Sequence, residues 1–403
     1  MLASPLEDGA ALVVDGRVRR VGPWAELRQG FHGSVVECGQ SALMPGLINA
    51  HCHLDYTDMA GSIPKPRHFH EWIQSILSLK SHWSYSEYAA SWIKGAHSLV
   101  NSGVTTVFDI EAVPELLPEV WDATPLRVWS FLEMTGVRSG VKPSQILRQA
   151  IKTSTGAPVR EHTLFGLSPH APYSTPPALL DLVARESMRR GWLVATHVAE
   201  SQAEFDMYTN AAGPLHDWLK PQRDMGDCGG TTPVRHLHRH GLLGPNLLAI
   251  HANYLLPGDV DLLASSGSSV VHCPRSHAYF GHNPFPLEAL LKAGVNICLG
   301  TDSMASVDRG RRRAAPKLEM LEELRSFARA FPRLQPAEIL RMATTNAAKA
   351  IQRGHDMGCI APGALADFAV VPLNDFRDPW QAVLAHRGPV AMTVINGHIC
   401  HQR

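Results

Sequence analysis

Apolar runs alternate with longer stretches of helical periodicity through the middle of the chain. Eight runs read as strands: 43–53, 105–110, 126–134, 163–170, 192–200, 247–255, 268–274 and 296–302. Their near-continuous apolar character is what strands buried on both faces require. Helical patterns lie between them, for example at 87–101, 176–190, 285–293 and 316–330. Eight strands alternating with helices predict an α/β fold of the (β/α)8 TIM-barrel type. The flanks differ. Residues 11–37 carry short strand patterns around a DG turn, and 367–400 carry them around an NG turn at 396–397, both hairpin signals. The two ends are expected to meet as a small β-sandwich domain. The division is then 1–42 and 361–403 for the small domain, with the barrel over 43–360.

Length and composition agree with this division. The 403 residues exceed what one core needs. Hydrophobic residues at 45% and charged residues at 18% suit a globular enzyme. The formal net charge is zero, so no nucleic-acid or membrane partner is expected. The seven cysteines are odd in number and form no C-x-x-C pair, which excludes a zinc ribbon and a disulfide framework. No basic segment precedes an apolar run at the N-terminus, and no run approaches the roughly 20 residues of a membrane helix. A cytoplasmic enzyme with a small-molecule substrate is expected, and a homodimer is left open.

Polar residues close most of the predicted strands: His51 and His53, Asp109, Glu133, His170, His197 with Glu200, His251, His272 and Asp302. Active sites of this fold assemble at that end of the barrel. In His51-Cys52-His53 the two imidazoles are i and i+2 on a strand, so they share a side and can bind one ion. His197 closes another strand. Asp302 follows an apolar run and a glycine, where an unpaired carboxylate is costly. No cation precedes Arg309 nearby. Three imidazoles and one carboxylate suit zinc or iron and leave a position for water.

The segments MPGLINAHCHLD, SPHAPYST, THVAES, AIHANYL, VVHCPRS and LGTDS, in this order, resemble the amidohydrolase superfamily. The resemblance is strongest to its cytosine-deaminase-like branch, which includes chlorohydrolases, adenosylhomocysteine deaminases and aminodeoxyfutalosine deaminases. It spans nearly the whole chain. It implies His51, His53, His197 and Asp302 as metal ligands, His251 and Glu200 as catalytic residues with Asp302, and His170 as a substrate contact. Some members hold two metals bridged by a carboxylated lysine on the fourth strand. That strand here reads TLFGLSPH without a lysine, so one divalent metal is expected, zinc first, with iron or manganese as alternatives. Relatives also carry a strand ahead of LEDGAALVV. Either the reading frame starts upstream or the small domain lacks an edge strand, and an upstream in-frame start codon would decide.

The expected chemistry follows from these residue types. A metal lowers the pKa of its bound water toward about 7, which makes hydroxide available. Asp302 can accept the proton, His251 can orient the hydroxide, and Glu200 can carry a proton to the leaving amine. The leading expectation is hydrolytic deamination of an aminated heterocycle, a purine-type base or nucleoside such as aminodeoxyfutalosine or adenosylhomocysteine. The alternatives are hydrolysis of an amide, guanidino or triazine C–N or C–Cl bond, and a non-catalytic scaffold. Substrate choice is expected in 54–86, where Trp72 could stack on a ring or pack as a helix face, and in 274–286. There His277 replaces the Asn of the C-P-x-S-N pattern of relatives, and Arg275, Tyr279 and His282 could reach a polar tail. Two other motifs fail. His70-Glu71 lacks a second His at position 74, and no P-C-x-x-C follows any H-x-E. Arg311-Arg312-Arg313 reads as a solvated loop.

Overall fold

The computed structural model describes residues 4–136, 140–156, 163–308, 316–374 and 377–403. The arginine run 311–313 lies outside them. The chain opens with a hairpin, β1 (Gly9–Val14) and β2 (Arg17–Pro23), whose Asp15-Gly16 turn has both φ angles positive, as an inverse turn between twisted strands demands. The run read as one strand over 43–53 is two. β3 (Ser41–Pro45) belongs to a separate antiparallel sheet and β4 (Leu47–Cys52) to the barrel. Gly46 is the break, because a Cβ there would sit 2.2 Å from the Thr105 side chain.

The barrel continues as β5 (Val104–Glu111), β6 (Arg127–Met134), β7 (Thr163–Pro169), β8 (Val194–Val198), β9 (Leu247–His251), β10 (Ser269–His272) and β11 (Asn296–Leu299). All neighbours pair in parallel. The last three strands, β12 (Phe368–Pro372), β13 (Met392–Ile395) and β14 (His398–Gln402), form the small sheet with β3 in the order β14-β13-β12-β3. The hairpin lies against this sheet through Val18, which joins Phe368, Val370, Met392 and Val394 in one apolar cluster. Arg127, at the start of β6, donates to Asp367 at 3.2 Å and to Asn396 Oδ1 at 2.7 Å, tying the barrel to the small sheet. Among the described residues no helix is long and apolar enough to cross a membrane.

Side-chain parity sorts the barrel into two cores. Ile48, Ala50, Phe108, Ile110, Trp129, Phe131, Ala195, Leu248, Ile250, Val271 and Cys298 form the inner one. The alternate positions, such as Leu47, Val107, Val128, Val194 and Ala249, pack outward against the helices, as period 2 requires. Parity also corrects two expectations. Asp109 and His272 lie on the outward register. Asp109 accepts from Leu54 N at 2.8 Å and Trp92 Nε1 at 2.9 Å, and His272 stacks on Phe285 at 4.0 Å.

The barrel closes where Thr301 N and Asp302 N donate to His51 O, at 2.9 and 3.1 Å. Gly300 permits this approach, since a Cβ there would lie 2.8 Å from the Cβ, N and O of His51. Gly300→Ala must push backbone rather than a flexible tip. It is expected to cost about 1–3 kcal/mol or more, read as a lower urea midpoint. An unchanged midpoint would show that this closure is loose.

Candidate metal centre and its surroundings

His51 and His53 reach the mouth of the barrel through an irregularity in β4. Its register against β5 slips between Asn49 and Cys52, so the inward series Ile48, Ala50 passes to His51, His53, as a bulge allows. His197 continues the inward series of β8 after Ala195. Its N and Nδ1 both reach His170 O, at 2.9 and 2.8 Å. That fixes the proton on Nδ1 and leaves the Nε2 lone pair free, a common arrangement for a ligating histidine. Asp302 follows β11 with φ +55, and His251 ends β9 with φ +73. Ala199 and Ala252 are left-handed as well, at +51 and +48. Four non-glycine residues in this costly region, all beside one mouth, mark a place where the surroundings hold the backbone against its preference.

The outcome is a tight group. One ligand atom from each of His51, His53, His197 and Asp302 lies within 4.8 Å of the others, and all four residues are buried. Asp302 Oδ1 stands 3.3 Å from His51 Nε2 and 3.7 Å from His53 Nε2. A second group of the same tightness joins Glu200, His251 and Asp302. Nδ1 of His51, Nδ1 of His53 and Nε2 of His251 are buried without a hydrogen-bond partner. Unsatisfied buried nitrogens are costly. Together with a donor set of three imidazoles and one carboxylate, they fit a divalent cation of the zinc or iron type.

The electrostatics favour the ligating forms. Burial first, then the neighbouring imidazoles, pushes His197 down to about 3 and His53 well below its usual range. Burial likewise lowers His251, and lowers His170 to about 4. Burial works to raise Asp302, but its contact with His51 and the neighbouring His251 and His53 hold it well below the usual carboxylate range. Neutral imidazoles and an ionised carboxylate are what a cation needs.

Glu200 lies two residues past β8, buried, with Oε1 3.6 Å from His251 Nε2. Its peptide is held from two sides. Glu204 accepts from Ala199 N at 3.1 Å and Glu200 N at 2.9 Å, and Asn253 Nδ2 donates to Glu200 O at 2.9 Å. Asn253 Oδ1 in turn meets His277 Nδ1 at 3.1 Å. Neither Glu204 nor Asn253 stood out in the sequence. The Ser201-x-x-Glu204 spacing was a legible capping signal, and Ser201 does cap the next helix through Glu204 N at 3.1 Å. The Glu204 carboxylate instead reaches back to the two peptides ahead of the cap.

His170 follows β7, its ring 4.8 Å from His197 and its Nδ1 2.6 Å from Ser174 Oγ. Trp72 sits on the helix Phe69–Lys80, packed on Phe69 and Phe280 with Nε1 3.4 Å from Ala305 O. Arg275 and Tyr279 are engaged elsewhere. Arg275 pairs with Glu323 and donates to Lys317 O at 3.0 Å, and Tyr279 OH donates to Ile63 O and Pro64 O. The contacts with Ala305 and Ile63 show that the 54–86 segment covers this end of the barrel.

A model of the amidohydrolase family matches residues 42–400. A 5-methylthioadenosine/S-adenosylhomocysteine deaminase of Syntrophobacter fumaroxidans is 28% identical over 393 residues, covering 93% of this chain and 81% of the relative. A 5'-deoxyadenosine deaminase of Methanothermobacter thermautotrophicus is 28% identical over 401 residues, covering 95% and 86%. The crystal structure of an adenosine deaminase from Xanthomonas campestris with bound zinc superposes with a TM-score of 0.84 at 25% identity, covering 98% of this chain and 88% of that one.

Proposed function

Because the chain belongs to the amidohydrolase family, we propose that it is a metal-dependent hydrolase that removes an amino group from a purine-type base or nucleoside. The observation that carries this reading is the buried Glu200 carboxyl 3.6 Å from His251, next to the His51, His53, His197 and Asp302 group. That proximity supports reading Glu200 as a proton carrier beside a candidate metal centre. The named relatives, deaminases of adenosine-type nucleosides, support the same substrate chemistry.

His51, His53, His197 and Asp302 would hold one divalent cation, with zinc as the first choice. When bound, it supplies a Lewis acid and an acidified water. Asp302 takes a proton from the attacking water. The imidazole of His251 faces the same space and orients the nucleophile. Glu200 moves the proton. It first protonates a ring nitrogen of the substrate, so that the attacked carbon accepts oxygen. It then takes the remaining proton of the attacking hydroxyl and delivers it to the departing amine, which leaves as ammonia as the carbonyl forms, and the proton held by Asp302 restores Glu200. Burial, with the Asp302 and Glu204 carboxylates adding to it, pushes the Glu200 carboxyl well above its usual range, toward the form that can donate first. His170 borders the substrate, and Trp72 and His277 shape the cover over it.

Ammonia release by the metal-loaded protein should be seen with one or more of adenosine, adenosylhomocysteine, aminodeoxyfutalosine, guanine and cytosine. Turnover of triazines alone would replace deamination by the chlorohydrolase reading. Failure to bind zinc, iron or manganese would revive the scaffold.

A further inference from the structure

The inner register of β6 runs Trp129, Phe131, Glu133. The first two fill the barrel interior, and the third emerges at the mouth. There Glu133 Oε1 lies 4.0 Å from His170 Nε2, with the two side chains 16% and 24% exposed. That gap is too long for a hydrogen bond. Among the described residues no other hydrogen bond or ion pair engages the Glu133 side chain. His170 meets Ser174 through its other nitrogen, so its Nε2 edge and the carboxylate face one space together. A groove of about 300 Å³ leads outward from Glu133 between Glu115, Met134, Gln145, Ile146 and Gln149. The sequence pattern places Glu133 at a strand end and gives it no role.

A carboxylate only 16% exposed, with no side-chain partner, gains from a donor that reaches it. It has two oxygens and can accept from two O–H groups at once. An anionic substituent would be repelled, and an apolar one would leave the carboxylate unsatisfied. A vicinal pair of hydroxyls satisfies both oxygens, and one of those hydroxyls can also meet the Nε2 edge of His170 across the 4.0 Å gap.

We propose that Glu133, with the Nε2 edge of His170, is a recognition subsite for a pair of hydroxyls on the substrate, so that the enzyme selects an aminated base carrying a sugar over the free base. The groove beyond Glu133 then receives the outer part of that substituent. This selection rests on the deaminase reading only for its kinetic readout, because binding reports on it separately.

The test compares kcat/KM of the metal-loaded, full-length protein for adenosine, 2'-deoxyadenosine, 3'-deoxyadenosine and adenine, in the parent and in Glu133→Gln and Glu133→Ala. The parent should prefer adenosine over at least one deoxy analogue by about tenfold or more, the size expected for hydrogen bonds to a charged group. In Glu133→Ala that preference should fall to about unity, mainly through KM for adenosine, with Glu133→Gln retaining part of it. A parent that does not discriminate overturns the subsite. So do variants that lose all four substrates by the same factor, because Glu133 would then act only through His170 or the fold. Titration of the parent with inosine and with 2'-deoxyinosine and 3'-deoxyinosine, the larger preference of the two being read, tests the same subsite without turnover and without a variant. A preference of about tenfold for inosine supports the subsite, and equal affinity overturns it. If no substrate releases ammonia but inosine is preferred, the deaminase reading fails while the subsite stands.

Discussion

Asp302→Asn is expected to lower kcat by at least about a thousandfold and to reduce the bound metal well below one per chain. Asp302 belongs to both ligand groups at the mouth. It is the only anion among the three imidazoles, and it accepts at 3.3 Å from Ser306 Oγ in addition to its contacts with His51 and His53. Asparagine keeps the shape, and it tolerates the left-handed backbone at this position. The fold should therefore survive while the charge is lost. Metal content by mass spectrometry and ammonia release read the two effects separately. A variant with full metal and full rate would remove Asp302 from the proposed centre.

The second large effect is expected from Glu200→Gln, a fall in kcat of about 10²–10⁴ with the metal retained. Glutamine preserves size and hydrogen bonding but cannot shuttle a proton. The backbone of residue 200 stays clamped by Glu204 and Asn253, so the substitution should not move its neighbours. Loss of metal would instead place Glu200 among the ligands. A change confined to KM would make it a binding residue. The contrast with Asp302→Asn separates proton transfer from metal retention, since both residues face His251.

Much of this architecture could be read along the chain. Near-continuous apolar runs alternating with helical stretches, and the DG and NG turns, are local signals, and the barrel and the small sheet follow from them. His51 and His53 were legible as a pair because i and i+2 share a face. That inference holds for an incomplete reason. Ile48 and Ala50 also face inward, and only the register slip between Asn49 and Cys52 brings the histidines onto the same side. Where no slip intervenes, parity decides against a polar residue. Asp109 sits between inward Phe108 and Ile110, and His272 between inward Val271 and Cys273. Both therefore point out toward the helices.

The sequence alone determined the kind of fold and the residue types at the strand ends, because alternation and turn chemistry are local properties of the chain. Only the tertiary structure decided which of those side chains share a space. Closure of β11 on β4 through Gly300 brings Asp302 to His51, although 251 residues separate them. The left-handed residues Ala199, His251 and Asp302 turn their segments into the mouth against local preference. The carboxylate of Glu204 and the amide of Asn253 hold the peptide of Glu200. Each of these depends on contacts between segments far apart in the chain, which no local pattern encodes.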